Sequence, residues 1–260
     1  MRIKANGITF NYTIDGAEGA PWLAFSNSLA TTVAMWDEQA AALKGKYRVL
    51  RYDQRGHGGT DAPAGRYAFD TLVADAAALL EALGIARAHF GGLSMGAATA
   101  LGLAEQHPGR VASIIVCDSA CMSTPASSQQ WEERIVVAQE KGMEALVEPT
   151  MARWFPPATI AKNPPHLDKV RAMIRATPVN GFIGCSAALG DHNYNAKVAT
   201  VTCPVLFMVG EKDGTAPAAM RDMQARLPGS RYVELAGAGH ISNMDRPAEF
   251  TRAVEEFLAA

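Results

Sequence analysis

Short apolar segments alternate with segments of helical periodicity along most of the chain. The apolar segments are four to six residues long, which is typical of buried strands. Seven strands are predicted from them, at residues 8–12, 22–25, 47–52, 89–92, 114–117, 205–209 and 232–235. Because these segments are apolar throughout and are separated by helices, we expect a mostly parallel sheet that is covered on both faces.

The helical segments carry apolar residues at every third or fourth position. The clearest covers residues 67–83, which Gly84 ends. Further helices are predicted at residues 95–106, 217–227 and 247–258.

The alternation stops between about residues 120 and 195. This stretch contains helix-like segments at 131–141 and 143–154, two proline pairs and no convincing strand. We therefore predict an inserted helical cap at residues 121–195, which covers the carboxyl ends of the strands. Residues 1–120 and 196–260 are expected to form the core.

Residues 92–96 read Gly-Leu-Ser-Met-Gly and match the pattern G-x-S-x-G. The pattern alone is a weak signal, but here a predicted strand precedes it and a helix of small residues follows it. A serine on such a tight turn exposes its hydroxyl, and the next amide faces the reacting carbonyl. Ser94 is therefore the candidate nucleophile, and the amide of Met95 is a candidate oxyanion donor.

A serine nucleophile needs a base and an acid that orients this base. His240 lies between the last strand and the last helix and is the candidate base. Asp213 follows the strand at 205–209 and is the preferred acid, because the chain order Ser, Asp, His then results. Asp118, at the end of the strand at 114–117, is the alternative acid. We expect His57, in a glycine-rich loop, to have a structural role.

The second oxyanion donor is expected from the loop after the strand at 22–25. This loop reads Ser-Asn-Ser-Leu, and we expect the amide of Leu29 to join that of Met95. Two such donors stabilise the oxyanion of a tetrahedral intermediate.

Composition and charge exclude several other classes. The formal net charge is −2, with 24 basic and 26 acidic residues well mixed, so neither a nucleic acid nor a membrane surface is an expected partner. The four cysteines lack zinc-site spacings and indicate no metal site. They are expected to be reduced, and residues 1–10 lack a signal-peptide pattern, so a cytoplasmic protein is predicted.

Several segments together resemble the 3-oxoadipate enol-lactonases of the α/β-hydrolase superfamily. They are Ser-Asn-Ser-Leu at 26–29, Met-Trp-Asp at 35–37, Arg-Tyr-Asp-Gln-Arg-Gly-His-Gly at 51–58, the serine motif at 92–96 and Ala-Gly-His-Ile-Ser-Asn at 238–243. Residues 131–135 and 151–155 of the cap are also similar. The chain departs from the family at Ala30, where glycine is usual, and at Asp118, where asparagine is usual.

This resemblance implies an α/β-hydrolase fold with an eight-stranded, mostly parallel sheet and an inserted helical cap. It also implies hydrolysis of a small enol-lactone that bears a carboxylate, in the degradation of aromatic acids, without a cofactor or metal. Arg134 and Arg153 are candidates for binding the carboxylate, since a guanidinium matches it in two-pronged fashion. Trp154 is expected to wall the pocket, and Ser28 is a further candidate for substrate binding.

Two other functions stay open at this stage. The first is hydrolysis of a different lactone or ester, such as an acyl-homoserine lactone or a short-chain ester. The second is a hydrolase-fold sensor that binds a small molecule with little turnover, although the Ser, His and Asp set argues against it.

Overall fold

The apolar segments of the chain form one eight-stranded sheet. Residues 1–260 are described by a computed structural model. The strands are β1 (Arg2–Ala5), β2 (Ile8–Asp15), β3 (Trp22–Ser26), β4 (Arg48–Tyr52), β5 (Ala88–Leu93), β6 (Val111–Cys117), β7 (Val205–Gly210) and β8 (Arg231–Leu235). Their order in the sheet is β1-β2-β4-β3-β5-β6-β7-β8.

The strands from β4 to β8 in this order run parallel, whereas β1 and β2 form an antiparallel edge. All residues of β7 are buried, as expected of a strand with helices on both faces. In β2, buried residues alternate with partly exposed ones, which is typical of a strand near an edge. The prediction of a mostly parallel α/β sheet is therefore confirmed.

Eleven α-helices and four short 3₁₀ turns connect the strands. The helices are α1 (Asp37–Leu43), α2 (Phe69–Ala82), α3 (Met95–Gln106), α4 (Pro125–Lys141), α5 (Val147–Trp154), α6 (Pro157–Lys162), α7 (Pro165–Ala176), α8 (Val179–Asp191), α9 (Ala216–Ala225), α10 (Ser242–Asp245) and α11 (Pro247–Leu258). None of them combines the length and the apolar character needed to cross a membrane.

The sheet separates two apolar cores. Ile115 of β6 points into a core that includes residues of α1 and α11, whereas its neighbours Ile114 and Val116 point into a core with residues of α2, α3 and α9. This alternation follows from the period of two in a strand. Both faces of the sheet are thus covered.

Helices α4–α8 all lie between β6 and β7, within the segment for which the sequence predicts a cap. Their apolar residues, including Leu146, Met151 and Phe182, belong to the same core as α1 and α11. The helices of the predicted cap therefore share a continuous apolar core with one face of the sheet.

Several elements differ from the sequence expectations. Helices α1, α6, α7 and α10 have no counterpart among the predicted helices. The helix expected at 143–154 is a 3₁₀ turn at Met143–Leu146 followed by α5. The helix α8 was not predicted, because its residues are small or apolar on nearly all sides and show no amphipathic pattern. The four-residue β1 was also missed, since an exposed edge strand buries none of its residues completely.

Candidate active site

The parallel strands β3, β5, β6, β7 and β8 bring the loops that follow them to one edge of the sheet. This edge is the usual place for a ligand site in open α/β sheets. All the core residues that the sequence singles out for chemistry lie on these loops. Helices of the predicted cap contact the loop after β3 through Met173 and the loop after β8 through Trp154.

Ser94 occupies the turn between β5 and α3. Its backbone has φ 55° and ψ −110°, a conformation that residues other than glycine rarely adopt. Its amide donates to the carbonyl oxygen of Cys117 at 2.8 Å, which ties the turn to β6. Between residues 90 and 104, Ser94 alone is not buried. The turn thus presents this one residue at the edge of the sheet.

The two glycines of the motif are required by close contacts of the backbone. A Cβ atom on Gly92 would lie 2.1 Å from the carbonyl group of Gly96. A Cβ atom on Gly96 would lie 2.1 Å from the carbonyl oxygen of Ser26 in β3. Both distances are far below van der Waals contact, so the spacing G-x-S-x-G follows from steric exclusion at the turn.

The structure brings His240 and Asp213 together. Nδ1 of His240 lies 2.8 Å from Oδ2 of Asp213, and both side chains are largely buried. This contact leaves Nε2 of the imidazole without a protein partner. No hydrogen bond joins the Ser94 hydroxyl to the His240 ring in this structure.

The cap holds the His240 loop directly. The amide of His240 donates to the carbonyl oxygen of Trp154 at 2.7 Å, at the end of α5. The indole of Trp154 stacks near the imidazole, with ring centroids 5.9 Å apart and an interplanar angle of 28°. Trp154 is only 4% exposed, so its indole forms part of the wall beside the imidazole.

The loop after β3 is held by buried polar groups. The amide oxygen of Asn27 accepts from the backbone amide of Gln54 at 3.0 Å, and the Gln54 side chain donates to the Asn27 carbonyl at 2.7 Å. Nδ2 of Asn27 donates to the Thr31 carbonyl at 2.8 Å. Neither Asn27 nor Gln54 is among the residues predicted from the sequence to belong to the site. The only available signal was their position in segments shared with a known family.

His57 lies in the loop after β4 and holds the loop after β3 by a hydrogen bond. Its Nε2 accepts from the amide of Ala30 at 2.8 Å, while Nδ1 lies 3.1 Å from the carbonyl oxygen of Arg55. Burial lowers the pKa of His57, although the contact with the Arg55 carbonyl opposes this. A neutral ring that donates from Nδ1 and accepts at Nε2 satisfies both contacts.

The amides of Leu29 and Met95 are free to bind an external acceptor. Neither donates one of the backbone hydrogen bonds outside the helices and strands, and Met95 is the first residue of α3 and so lacks an acceptor in its own helix. The hydroxyl of Ser28, next to Leu29, is fully buried and has no hydrogen-bond partner.

Asp118 forms no hydrogen bond or ion pair with His240. One oxygen of its carboxyl accepts from the amide of Gly210 at 2.8 Å, and the other accepts from the hydroxyl of Ser242. Burial raises the pKa of Asp118 well above its usual value, and the negative charge of Asp213 raises it further. Asp213, and not the alternative acid Asp118, thus accepts the hydrogen bond of His240.

Two arginines of the cap stack on one aromatic ring. The guanidinium of Arg134 lies 4.8 Å from the centroid of Trp131, and that of Arg153 lies 5.3 Å from it. Arg134 also lies over the ring of Phe182 and donates to the hydroxyl of Thr150 at 3.0 Å. No carboxylate lies within ion-pair distance of either guanidinium.

The environment of these arginines disfavours their charge. Burial and the neighbouring Arg153 lower the pKa of Arg134 to about 9, which leaves the side chain cationic at neutral pH. Burial also lowers the pKa of Arg153, an effect that the carboxylate of Asp213 opposes. An under-solvated cation without a counterion attracts an anion. Trp131 was not singled out, although its spacing of three residues from Arg134 on α4 places both on one helix face.

No group of three or more His, Cys, Asp or Glu side chains is arranged so that it could hold a metal ion. The polar groups at the edge of the sheet are instead a hydroxyl, an imidazole paired with a carboxylate, and two free amides. This set is suited to acyl transfer from an ester or lactone.

Comparisons with known proteins give the family. The family model for the alpha/beta hydrolase fold matches residues 21–247. The 3-oxoadipate enol-lactonase 2 of Acinetobacter baylyi is 33% identical over 256 residues, which are 98% of this chain and 95% of that protein. The enol-lactonase of Burkholderia xenovorans LB400 has a crystal structure with a TM-score of 0.96 and 37% identity, with 100% of both chains covered.

A thermophilic esterase from Thermogutta terrifontis is similar as well, with a TM-score of 0.93 and 26% identity over 100% of this chain and 98% of that one. The expected resemblance to enol-lactonases is therefore confirmed at the level of sequence and fold. The chain belongs to the α/β-hydrolase fold family, as an ester hydrolase related to the 3-oxoadipate enol-lactonases.

Proposed function

We propose that the protein is a serine hydrolase that opens a small lactone bearing a carboxylate, with 3-oxoadipate enol-lactone as the expected substrate. The observation that carries this proposal is the pair of arginines, Arg134 and Arg153, which stack on Trp131 without a carboxylate partner. The similarity to 3-oxoadipate enol-lactonases over nearly the whole chain supports the same substrate.

In the proposed mechanism, Ser94, His240 and Asp213 form the catalytic triad. Nδ1 of His240 is engaged with Asp213, so Nε2 is the nitrogen that accepts the Ser94 proton. The hydroxyl reaches this nitrogen in the substrate complex, where such contacts commonly shorten. Oγ of Ser94 then attacks the lactone carbonyl, and the amides of Leu29 and Met95 bind the resulting oxyanion.

Collapse of the tetrahedral intermediate breaks the ring C–O bond and leaves an acyl group on Ser94. The protonated His240 gives its proton to the departing enol oxygen, and the enol becomes a ketone. Water then loses a proton to His240 and attacks the acyl-enzyme. The second collapse releases the carboxylic acid and returns the proton to Ser94, so no cofactor is required.

The carboxylate of the substrate is assigned to Arg134 and Arg153. Arg153 is close enough to Asp213 for the charge of that carboxylate to act on it, which places it near the proposed triad. A hydrogen bond between charged groups contributes about 1.5–3 kcal/mol, or roughly 10- to 100-fold in binding. Trp154 closes the pocket beside His240, and the unpartnered hydroxyl of Ser28 is available as a further donor.

The proposal is tested by a substrate panel on the purified protein. We expect kcat/KM for the enol-lactone to exceed that for p-nitrophenyl acetate and for neutral lactones. Ser94→Ala should abolish turnover of all of them. A clear preference for neutral esters would overturn the assignment of an anionic lactone.

The role of the arginines has a matched control. Arg153→Gln should lower kcat/KM by about 10- to 100-fold on the anionic lactone and by less than about threefold on the neutral ester. Arg175→Gln is the control, since Arg175 is an exposed cap arginine that pairs with Glu144. An equal loss on both substrates would argue against recognition of the carboxylate.

The choice of acid is tested separately. Asp213→Asn should lower kcat by about 10⁴-fold, because the amide favours the wrong tautomer of His240. Asp118→Asn should change kcat by less than about threefold. The opposite ranking would make Asp118 the acid.

A second candidate is a carboxylesterase with a neutral substrate, which the similarity to the Thermogutta terrifontis esterase favours. Fast turnover of short-chain esters, unaffected by Arg153→Gln, would support it. A sensor without turnover would show neither steady-state hydrolysis nor a burst of p-nitrophenol from p-nitrophenyl acetate.

A further inference from the structure

The carboxyl group of Asp118 joins two loops that are far apart in the sequence. Oδ1 accepts from the amide of Gly210 at 2.8 Å, and Oδ2 accepts from the hydroxyl of Ser242. The amide of Asp118 itself donates to the carbonyl oxygen of Met208 at 2.9 Å. The backbone of Asp118 is therefore fixed to β7, and its side chain joins the end of β7 to Ser242.

The two groups that Asp118 holds are next to the proposed acid and base. Gly210 is the last residue of β7, three residues before Asp213, and Ser242 is the first residue of α10, two residues after His240. We propose that Asp118 is a positioning residue that sets the distance between Asp213 and His240 by tying their loops to one carboxyl group. This inference rests on the proposed function, since it concerns the same acid and base.

Burial makes this bridge hard to replace. Asp118 is 1% exposed and Ser242 is fully buried. If the carboxyl is removed, water cannot easily reach the Gly210 amide and the Ser242 hydroxyl, so both lose their partner. The loops then relax independently, and displacements of about 1 Å at reacting groups cost about 100-fold in rate.

The backbone of Asp118 supports the same role. Its φ is 48°, in the left-handed region, which Asp and Asn tolerate better than other residues with a side chain. In this conformation the chain turns away from the direction of β6, and the side chain joins the end of β7 to the start of α10. An asparagine there has the same shape and can accept from Gly210 and donate to the Ser242 oxygen.

The charged side chains that act most strongly on Asp118 are acidic. Asp213 on the loop after β7 and Asp245 on α10 act on it electrostatically, and Cys117 precedes it on β6. These neighbours oppose a negative charge on Asp118. The Asp118 bridge therefore depends on its two hydrogen bonds and not on attraction between opposite charges.

The test compares Asp118→Ala with Asp118→Asn in the full-length protein. Asp118→Ala should lower kcat by about 10- to 100-fold with KM within threefold, while Asp118→Asn should stay within threefold of the wild type in both. The NMR signal of the His240 Nδ1 proton, which the Asp213 contact shifts downfield, should weaken in Asp118→Ala and persist in Asp118→Asn. Ser242→Ala removes one of the two bonds and should lie between them.

A matched control separates positioning from loss of stability. Leu80→Ala removes a buried side chain of α2, far from the site, and should lower the Tm without changing the His240 signal. If Asp118→Ala does not fold, Ser242→Ala carries the comparison. The proposal would be overturned if Asp118→Ala kept the wild-type kcat and an unchanged His240 signal, or if Ser242→Ala did so where Asp118→Ala does not fold. It would also be overturned if Asp118→Asn were as impaired as Asp118→Ala.

The NMR measurement uses no substrate, so it also separates this inference from the proposed function. If the wild type opens no lactone or ester but Asp118→Ala still weakens the His240 signal, the proposed function fails and the positioning role stands. If the wild type hydrolyses lactones and Asp118→Ala changes nothing, the positioning role alone fails.

Discussion

Three residues at the carboxyl edge of the sheet have a left-handed backbone although they are not glycine. They are Ala30, Ser94 and Asp118, with φ of 55°, 55° and 48°. Such conformations cost about 1–3 kcal/mol each and persist only where the surrounding structure enforces them. Each residue follows a different strand, so the strain is concentrated where the proposed chemistry takes place.

The strain at Ala30 can be relieved. Ala30→Gly removes the Cβ atom that disfavours φ 55°, so we expect the free energy of unfolding to rise by up to about 1 kcal/mol in urea titrations. Part of the gain is offset by the greater entropy of glycine in the unfolded chain. The control is Ala78→Gly within α2, which should lower the same free energy by about 1 kcal/mol. A loss of stability in Ala30→Gly would contradict this account.

The buried carboxyl of Asp118 predicts a pH dependence of stability. Its pKa is raised in the folded protein, so the folded state holds this proton more tightly than the unfolded chain does. The stability that this proton provides is present below the pKa of the unfolded chain and is lost as the pH rises through the raised pKa. Asp118→Asn keeps both hydrogen bonds without the titration.

We therefore expect Asp118→Asn to have a higher Tm than the wild type at neutral and alkaline pH, and the difference to shrink toward pH 4. Thermal unfolding followed by circular dichroism across this range measures it. A constant difference at all pH values would show that Asp118 does not titrate differently in the two states.

Among the elements, the cap helices differ in how they contact the core. The end of α5 touches the His240 loop through the Trp154 carbonyl, whereas α8 packs against the loop that carries His57. The second contact is between Gly181 and Gly56, and a Cβ atom on Gly181 would lie 1.9 Å from the Gly56 carbonyl oxygen. The backbone approach here is as close as in the serine turn.

This contact predicts that α8 does not tolerate a side chain at position 181. Gly181→Ala should lower the free energy of unfolding by about 1–3 kcal/mol, because the cap helix or the loop must move. Gly190→Ala on the same helix is the control, since the nearest atom to its Cβ would be 3.8 Å away. Chemical denaturation should leave that variant unchanged or slightly stabilised, and equal effects of both changes would disprove the steric explanation.

For the whole molecule, the net charge and the local charge near the proposed site have opposite signs. The formal net charge is only −2, so the protein as a whole does not attract an anion. The unpaired cations Arg134 and Arg153 provide a local positive field beside the proposed triad. The proposed attraction of an anionic substrate therefore depends on the site and not on the net charge.

This local field predicts a salt effect that depends on the substrate. Raising NaCl from about 0.05 to 0.5 M should increase KM for the anionic lactone severalfold, because the shorter Debye length screens the arginines. The KM for p-nitrophenyl acetate should change little. In Arg153→Gln the salt effect on the lactone should be smaller than in the wild type. Equal salt effects on both substrates would contradict a specific role of the arginines.

The periodicity of the sequence predicts most of the fold. Seven of the eight strands and the helices α2, α3, α9 and α11 follow from apolar patterns, since burial on one or two faces leaves a period that can be recognised. Helix α8 and strand β1 lack that signal, because one is buried nearly all round and the other is exposed. The pattern therefore fails where burial is uniform. Helix α7 was not predicted for another reason, because it does bury one face through Leu167, Val170 and Ile174.

The sequence by itself determined which residue types stand at the strand ends: a serine between two glycines, an aspartate after β7 and a histidine after β8. These signals are local, because a tight turn restricts the residues that can form it. Only the tertiary structure decided which groups meet. Asp118 and Ser242 are 124 residues apart, and the cap arginines share one tryptophan without an acidic partner. The Asp118–Ser242 bond and the approach of Arg153 to Trp131 depend on how strands and helices pack in space, and no spacing along the chain encodes them.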